Sequence, residues 1–405
     1  MKILQINNSD SRGGASTIAA SLHLGLLEKN ITSHLIVQEQ NLKLPFCQKS
    51  PNKIFSLKYK RLIDNWPKIF YCWRKKLPLS LNYYPTKLLQ LEQQNQINYD
   101  ILHLHWINEG MFNLQELKKV IKPVVFTLHD AWIFTGGCHL PFDCQKFSQQ
   151  CGCCPQLKSL FSFDPTYKLI KRKKQLLQKP NFYFITPSEF LKKLALKSFL
   201  LAKQKIITIP NGVDSKKFYP SAKQLARKKL NLPVNKKILL FNGSNNLTDY
   251  NKNFIFLQQT LPFVKKKQNY LLIILTNDHN INLDFPFKIF KISHNNEKLN
   301  LIYNASDVVL LTSLWENFSL TVLEGSACKK PSLAFNVGGV NEIIQTKKNG
   351  VLITKNNHNQ FIEGLEYIFT HYDYLANNAY QIFQEKFTLE LMVKNYIDLY
   401  QKITQ

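Results

Sequence analysis

The chain has 405 residues, enough for two large domains and far more than a core needs before disulfides must substitute for it. Its 44% hydrophobic and 20% charged residues exclude a disordered polypeptide, and no apolar run approaches the ~18 residues of a membrane-spanning helix. The net charge is +26, with 48 of the 53 basic residues lysine; an AT-rich codon bias accounts for part of this, and the rest favours nucleic acid, anionic lipid or phosphorylated partners. The scarcity of arginine counts against a base-reading nucleic-acid protein.

The N-terminal residues 2–6 read as a first core strand and not as a signal peptide. A Gly-rich turn then leads into a helix over 17–29 and a strand over 33–38. Strands follow at 101–105, 124–128, 182–186 and 205–209. A second series begins with a strand at 237–242, a helix at 254–264, and strands at 270–276, 288–292 and 308–312. A helix at 319–328 and a strand at 332–335 continue it, and apolar spacing over 389–403 predicts a final helix. Strands alternating with helices imply parallel sheets in βαβ units, so the expected class is α/β with two Rossmann-like domains. The expected domains are 1–215, carrying a Cys-rich insertion at 136–157, then 216–385, with 386–405 as a C-terminal helix. One stretch breaks the pattern: residues 54–79 mix Lys and Arg with Phe55, Tyr59, Trp66, Phe70, Tyr71 and Trp73. Such a segment suits an anionic membrane surface, or packs its aromatics on its own domain.

Five places carry candidate chemistry. Arg12-Gly13-Gly14 lies between the first strand and the first helix, where glycine lets backbone N–H groups approach an anion; the spacing is not that of a dinucleotide fingerprint. Glu316 and Glu324 stand eight apart, the first past a strand's C-terminal end, where open α/β sheets bind ligands. Each carboxylate can accept from two hydroxyls, although surface glutamates show the same spacing. A Gly turn at Gly243, followed by Lys252, offers a point charge for phosphate. His105, Trp106, His129 and Asp130 stand at the C-terminal ends of two further strands; a histidine there serves as a polar contact, a proton carrier or a structural hydrogen-bond partner. Cys138, Cys144, Cys151 and Cys154 are spaced as four thiolates that suit tetrahedral structural zinc, with Cys153 an extra thiol; free cytosolic thiols are the competing reading.

Several motifs carry a resemblance. The run Leu314-Trp315-Glu316-Asn317-Phe318-Ser319-Leu320-Thr321-Val322-Leu323-Glu324-Gly325 is followed by Ala327-Cys328, Pro331 and Val337-Gly338-Gly339-Val340-Asn341-Glu342. With Pro187-Ser188 and Ile209-Pro210-Asn211-Gly212-Val213-Asp214, this resembles the family 4 glycosyltransferases of the GT-B fold. The stretch 127–157 is similar to a subgroup from exopolysaccharide clusters, including colanic-acid-type enzymes. The resemblance implies two facing Rossmann-like domains with an inter-domain cleft, the last helix returning to the first domain. It implies a retaining enzyme that moves a sugar from a nucleotide-diphosphate sugar to a glycan or lipid-linked acceptor in surface polysaccharide synthesis. Gly13 and Gly14 would cradle the donor diphosphate and Lys252 would neutralise it. The catalytic positions would be His129, near the reacting carbon, and Glu316, on hydroxyls of the transferred sugar. Glu324 would hold the ribose hydroxyls, and Asn317, Phe318 and Ser319 would offer backbone donors. Arg12, His105, Trp106 and Asp130 are candidates for the acceptor side. No cofactor is expected for catalysis, and the sequence has no Asp-x-Asp motif. The expected place is the cytoplasm, peripheral to the inner face of the membrane, without a nucleic-acid partner. Where the family has Gly-Phe-Gly after the first Glu, this chain has Asn317, Phe318 and Ser319; where it has Gly after the Lys, it has Asn253; and its usual Arg after Gly243 is replaced by Ser244 and Asn245. A nucleotide-sugar epimerase or sugar phosphorylase of the same fold is the enzymatic alternative. A zinc-containing nucleic-acid-binding protein is the distant one.

Overall fold

A computed structural model describes residues 1–50, 79–82, 84, 86, 88, 89, 98–243, 246–291 and 296–405. The basic aromatic segment lies outside the described residues except for Leu79, as do Ser244 and Asn245. The chain divides into two compact units, Met1–Pro210 with Met392–Gln405, and Asn211–Leu391.

The first unit is built on a seven-stranded sheet: β1 (Lys2–Ser9), β2 (Thr32–Glu39), β3 (Cys47–Lys49), β4 (Ile101–Leu104), β5 (Val124–Thr127), β6 (Phe182–Thr186) and β7 (Ile206–Thr208). Its order is β3-β2-β1-β4-β5-β6-β7, and every pairing is parallel. All four residues of β4 and of β5 are buried, which is why these strands read as continuous runs and not as an alternation. The order reverses at β1, so β1 and β4 flank a topological switch point, the place where such sheets open a crevice at their C-terminal ends. The turn after β1 and the residues after β4 and β5 stand at that end.

The second unit repeats the plan with β8 (Lys237–Asn242), β9 (Tyr270–Leu275), β10 (Phe287–Phe290), β11 (Val308–Leu311), β12 (Ser332–Phe335) and β13 (Gly350–Ile353). The order is β10-β9-β8-β11-β12-β13, again wholly parallel, with its switch point between β8 and β11. Along β8, Ile238 and Leu240 enter one core cluster and Leu239 and Phe241 the other, so the sheet is covered on both faces.

The helix expected over 254–264 stops earlier. It spans Phe254–Thr260, and a 3-10 turn takes Leu261–Phe263, because Pro262 has no N–H to continue an α-helix. The strand expected at 288–292 runs Phe287–Phe290. Short β3 and β13 add edges that the sequence pattern did not announce. The last helix, Leu389–Thr404, begins in the second unit and from Met392 belongs to the first. There the Tyr400 hydroxyl meets His103 Nδ1 at 2.7 Å, and the Tyr396 and Thr127 hydroxyls are 2.8 Å apart. No helix among the described residues is long and apolar enough to cross a membrane.

Candidate functional site

In the first unit, Gly13 caps the helix Gly14–Glu28 with φ +82°, a backbone conformation that glycine alone adopts without cost. Space does not demand the glycine, since an added Cβ would meet nothing within 4 Å. The turn is open at a helix start and carries no side-chain cap. Arg12 is half exposed and lies 3.7 Å from Glu39 and 3.9 Å from Glu109, so its charge is already shared with two carboxylates.

His103 and His105 share one face of the chain after and within β4, with rings 4.0 Å apart. His105 Nδ1 meets His129 Nε2 at 3.0 Å, and His105 Nε2 meets Gln5 Oε1 at 2.9 Å. Burial takes the His129 imidazole down to about 4 against the pull of Asp130, and holds His103 and His105 well below the ordinary range. All three are neutral at neutral pH. Asp130, adjacent to His129 in sequence, bonds elsewhere. Its Oδ2 accepts from His139 Nδ1 at 2.6 Å and from Trp106 Nε1 at 3.0 Å, and its Oδ1 accepts from the Trp132 N–H at 2.8 Å. Burial alone would raise this carboxyl; the His139 charge and these hydrogen bonds outweigh it and leave it lowered. Asp130 therefore orients Trp106 and His139. His139, nine residues on, has no local signal in the sequence, because a loop brings it back.

Cys138, Cys144, Cys151 and Cys154 lie near enough to act electrostatically on one another, and Gly136 N–H points at Cys151 Sγ at 3.3 Å. Cys153 faces Leu160 and Ser162 instead. Among the described residues, no group of three or more His, Cys, Asp or Glu side chains is gathered as ligands of one metal ion.

In the second unit, Leu314-Trp315-Glu316 follows β11, beside the loop after β8. Asn251 clasps the two together. Its side chain accepts from Trp315 N–H and donates to Trp315 C=O, both at 2.9 Å, and its carbonyl accepts from Leu314 N–H at 2.8 Å. This places Lys252 Nζ 3.0 Å from Glu316 Oε1. Burial would lower the Lys252 ammonium; the Glu316 carboxylate outweighs it and holds the proton on. Gly338 closes the site from behind at φ +58°, where a Cβ would stand 1.7 Å from the Glu316 carbonyl oxygen. Asn253 adopts φ +54°, the left-handed region, which explains why glycine is usual there and why asparagine serves.

Ser319 caps the helix Leu320–Ala327 by accepting from Val322 N–H, and Phe318 is buried against Phe387, so Phe318 has only its backbone to offer a ligand. Glu324 faces Tyr303, whose hydroxyl donates to Oε2 at 2.5 Å. Burial pushes the Glu324 carboxyl up to about 7, with the Tyr303 hydrogen bond opposing. Tyr303 lies 21 residues earlier on another helix, beyond the reach of any local motif.

Two family profiles cover nearly all of the chain: residues 12–217 match Glycosyltransferase Family 4 and residues 222–382 match Glycosyl transferases group 1. The chain belongs to glycosyltransferase family 4. This glycosyltransferase is 26% identical over 329 residues to an uncharacterized glycosyltransferase of Methanocaldococcus jannaschii, covering 74% of this chain and 82% of that one. It is 24% identical over 231 residues to an Escherichia coli glycosyl transferase named for colanic acid biosynthesis, spanning 53% of this chain and about half (55%) of the relative. Its fold is that of Anabaena HepE in complex with UDP-glucose, with a TM-score of 0.69, 15% identity, and 99% and 100% of the two chains covered.

The structure brings together Lys252 with Glu316, and His129 with His105. Within the glycosyltransferase's first unit, Trp106 and Asp130 form a second group one step along the same sheet end. Gly13 and Gly14 form the turn after β1, and Glu324 stands in the helix that begins after Ser319.

Proposed function

We propose that this glycosyltransferase takes its sugar from a nucleotide-diphosphate sugar and passes it to a glycan or lipid-linked acceptor in surface polysaccharide synthesis, with retention of anomeric configuration. The carrying observation is the Lys252–Glu316 pair at the second unit's switch point, held by the Asn251 clasp. The two charges balance before a donor arrives, and each suits a different end of it: the ammonium a phosphate, the carboxylate the hydroxyls of the transferred sugar. Glu324 suits the ribose hydroxyls. The open N–H groups after Gly13 suit an anion, and His129 a sugar hydroxyl. Such a site needs only to stabilise the departing diphosphate and position the acceptor, so turnover without a divalent ion belongs to the proposal. The UDP-glucose bound by Anabaena HepE and the naming of the Escherichia coli relative support the donor and pathway classes.

The test is a melting panel with UDP-, GDP-, ADP- and dTDP-sugars, run on the natural chain and on Lys252→Ala and Glu316→Gln. A ligand at ~100 times its Kd stabilises by about 2.7 kcal/mol. One nucleotide should raise the melting temperature of the natural chain and lose its effect in Lys252→Ala. Glu316→Gln should still melt cooperatively and fail to transfer sugar. Full transfer by Glu316→Gln would remove this site from the reaction.

Structural zinc on Cys138, Cys144, Cys151 and Cys154 is part of the same proposal. It requires the four thiols to deprotonate and draw in to about 2.3 Å from the metal. Elemental analysis should find one zinc per chain, absent from Cys151→Ser; a metal-free, fully folded natural protein refutes it.

A further inference from the structure

From His129 a hydrogen-bonded chain runs across β4, β1 and β2. His129 Nε2 meets His105 Nδ1 at 3.0 Å, and His105 Nε2 meets Gln5 Oε1 at 2.9 Å. Gln5 Nε2 reaches Ser33 Oγ at 2.9 Å, Ser33 Oγ meets His23 Nδ1 at 2.8 Å, and His23 Nε2 ends on the Pro45 carbonyl at 2.7 Å. Gln5, Ser33, His23 and His105 are all buried, with the first three fully excluded from solvent.

The direction of every bond in this chain follows from its last member. A carbonyl oxygen only accepts, so His23 Nε2 carries a hydrogen. His23 is buried and neutral, so its Nδ1 is a lone pair and Ser33 must donate to it. Ser33 has one hydrogen, now used, so Gln5 must donate to Ser33 through its amide nitrogen. Its amide oxygen therefore faces His105 and takes the Nε2 hydrogen. His105, neutral, is left with a lone pair on Nδ1, which only a hydrogen on His129 Nε2 can satisfy. No choice of amide flip or tautomer remains open along the way.

We infer that Gln5, Ser33 and His23 are positioning residues, which act through His105 to hold His129 as its Nε2–H tautomer and so make Nδ1 its basic nitrogen. This rests on the proposed reading that His129 meets the sugar. It gives that contact a polarity: His129 Nδ1 accepts a hydrogen bond from a hydroxyl and does not donate one to a ring or phosphate oxygen. His23 does this from the helix Gly14–Glu28, through its hydrogen bonds to Ser33 and the Pro45 carbonyl.

Long-range nitrogen NMR of histidine-labelled natural protein, without ligand, reads each tautomer directly. His23, His105 and His129 should all be Nε2–H at neutral pH; His129 as Nδ1–H overturns the inference. Ser33→Ala frees the Gln5 amide to turn over and should give His129 as a mixture of tautomers, with transfer reduced roughly tenfold. Ser33→Thr, which keeps the hydroxyl, should restore a single tautomer. His23→Phe removes the anchor instead and should give the same mixture should the alanine variant not fold. A His129 that stays wholly Nε2–H in these variants overturns the inference. Failure of the underlying reading looks different: His129→Gln would then transfer sugar normally, whatever its tautomer in the natural protein.

Discussion

A carboxyl such as Glu324 shows how one residue's surroundings set its response to ligand. Its folded-state value near 7 lies above the ordinary 4.5, so between those values the unfolded chain has lost a proton that the folded chain keeps. The folded state is therefore favoured below this window and loses that advantage as pH rises through it. A ligand whose hydroxyls donate to Glu324 favours the carboxylate and reverses the balance. Donor binding near pH 6.5 should thus release a proton, and donor affinity should rise with pH up to about 7 and then level. Calorimetry in two buffers of different ionisation enthalpy reads this directly; Glu324→Gln should bind with the same heat in both. A natural chain whose heat does not depend on buffer would show that Glu324 does not meet the donor. Gly338 teaches a different lesson at the same scale. Its place behind Glu316 follows from a carbonyl that leaves no room for a Cβ, so a residue with no side chain shapes the site.

Elements hold these residues through polar anchors as much as through apolar faces. In the second unit, Asp307, just ahead of β11, accepts from Arg227 at 2.7 Å, from Lys223 at 2.8 Å and from the Ile238 N–H of β8 at 2.7 Å. Arg227 is buried and also donates to the carbonyls of Ala305, Val234 and Lys236. The helix Lys223–Lys229, the end of the helix Asn296–Ala305 and the strand pair β8–β11 are tied at one point. Asp307→Ala should cost about 3–5 kcal/mol in denaturant unfolding, because it strands a buried guanidinium. Lys223→Ala removes an ammonium that is itself exposed and leaves Asp307 paired with Arg227, so it should cost less than about 1 kcal/mol. Equal losses from the two would refute this account. Such anchors also mark where sequence reading stops. The strands β1, β4, β5, β8 and β11 were legible because they are buried nearly throughout and read as short, largely apolar runs. Glu316 and Lys252 were legible as a motif and a template position. Their ion pair was not, since it depends on Asn251 joining two loops 64 residues apart. The pairing of Asp130 with His139, and of Glu324 with Tyr303, likewise needs the folded loops and helices.

At the scale of the whole molecule, the chain leaves its first unit at Pro210 and comes back to it at Met392. The returning segment is not an ornament on the surface. Met392, Val393, Tyr396, Leu399 and Tyr400 are all buried, and Val393 fills the space that a side chain at Gly25 would need, with Cγ2 2.4 Å from where its Cβ would stand. Burying five such side chains is worth on the order of 10 kcal/mol at about 1.5–3 kcal/mol each, an upper figure because the unfolded chain is partly compact. Whole domains are stable by only about 5–15 kcal/mol. The first unit should therefore not be independent of the last fourteen residues, and without them it should also lose the hydrogen bond between Tyr400 and His103, a neighbour of the His105–His129 pair. A chain ending at residue 391 should lose the cooperative unfolding of its first unit while the second unit still melts as before. Amide hydrogen exchange separates the two: β1, β4 and β5 should exchange fast in the shortened chain, and β8, β9 and β11 slowly. Protection of β4 and β5 equal to that of the full chain would mean that the helix covers the first unit without stabilising it.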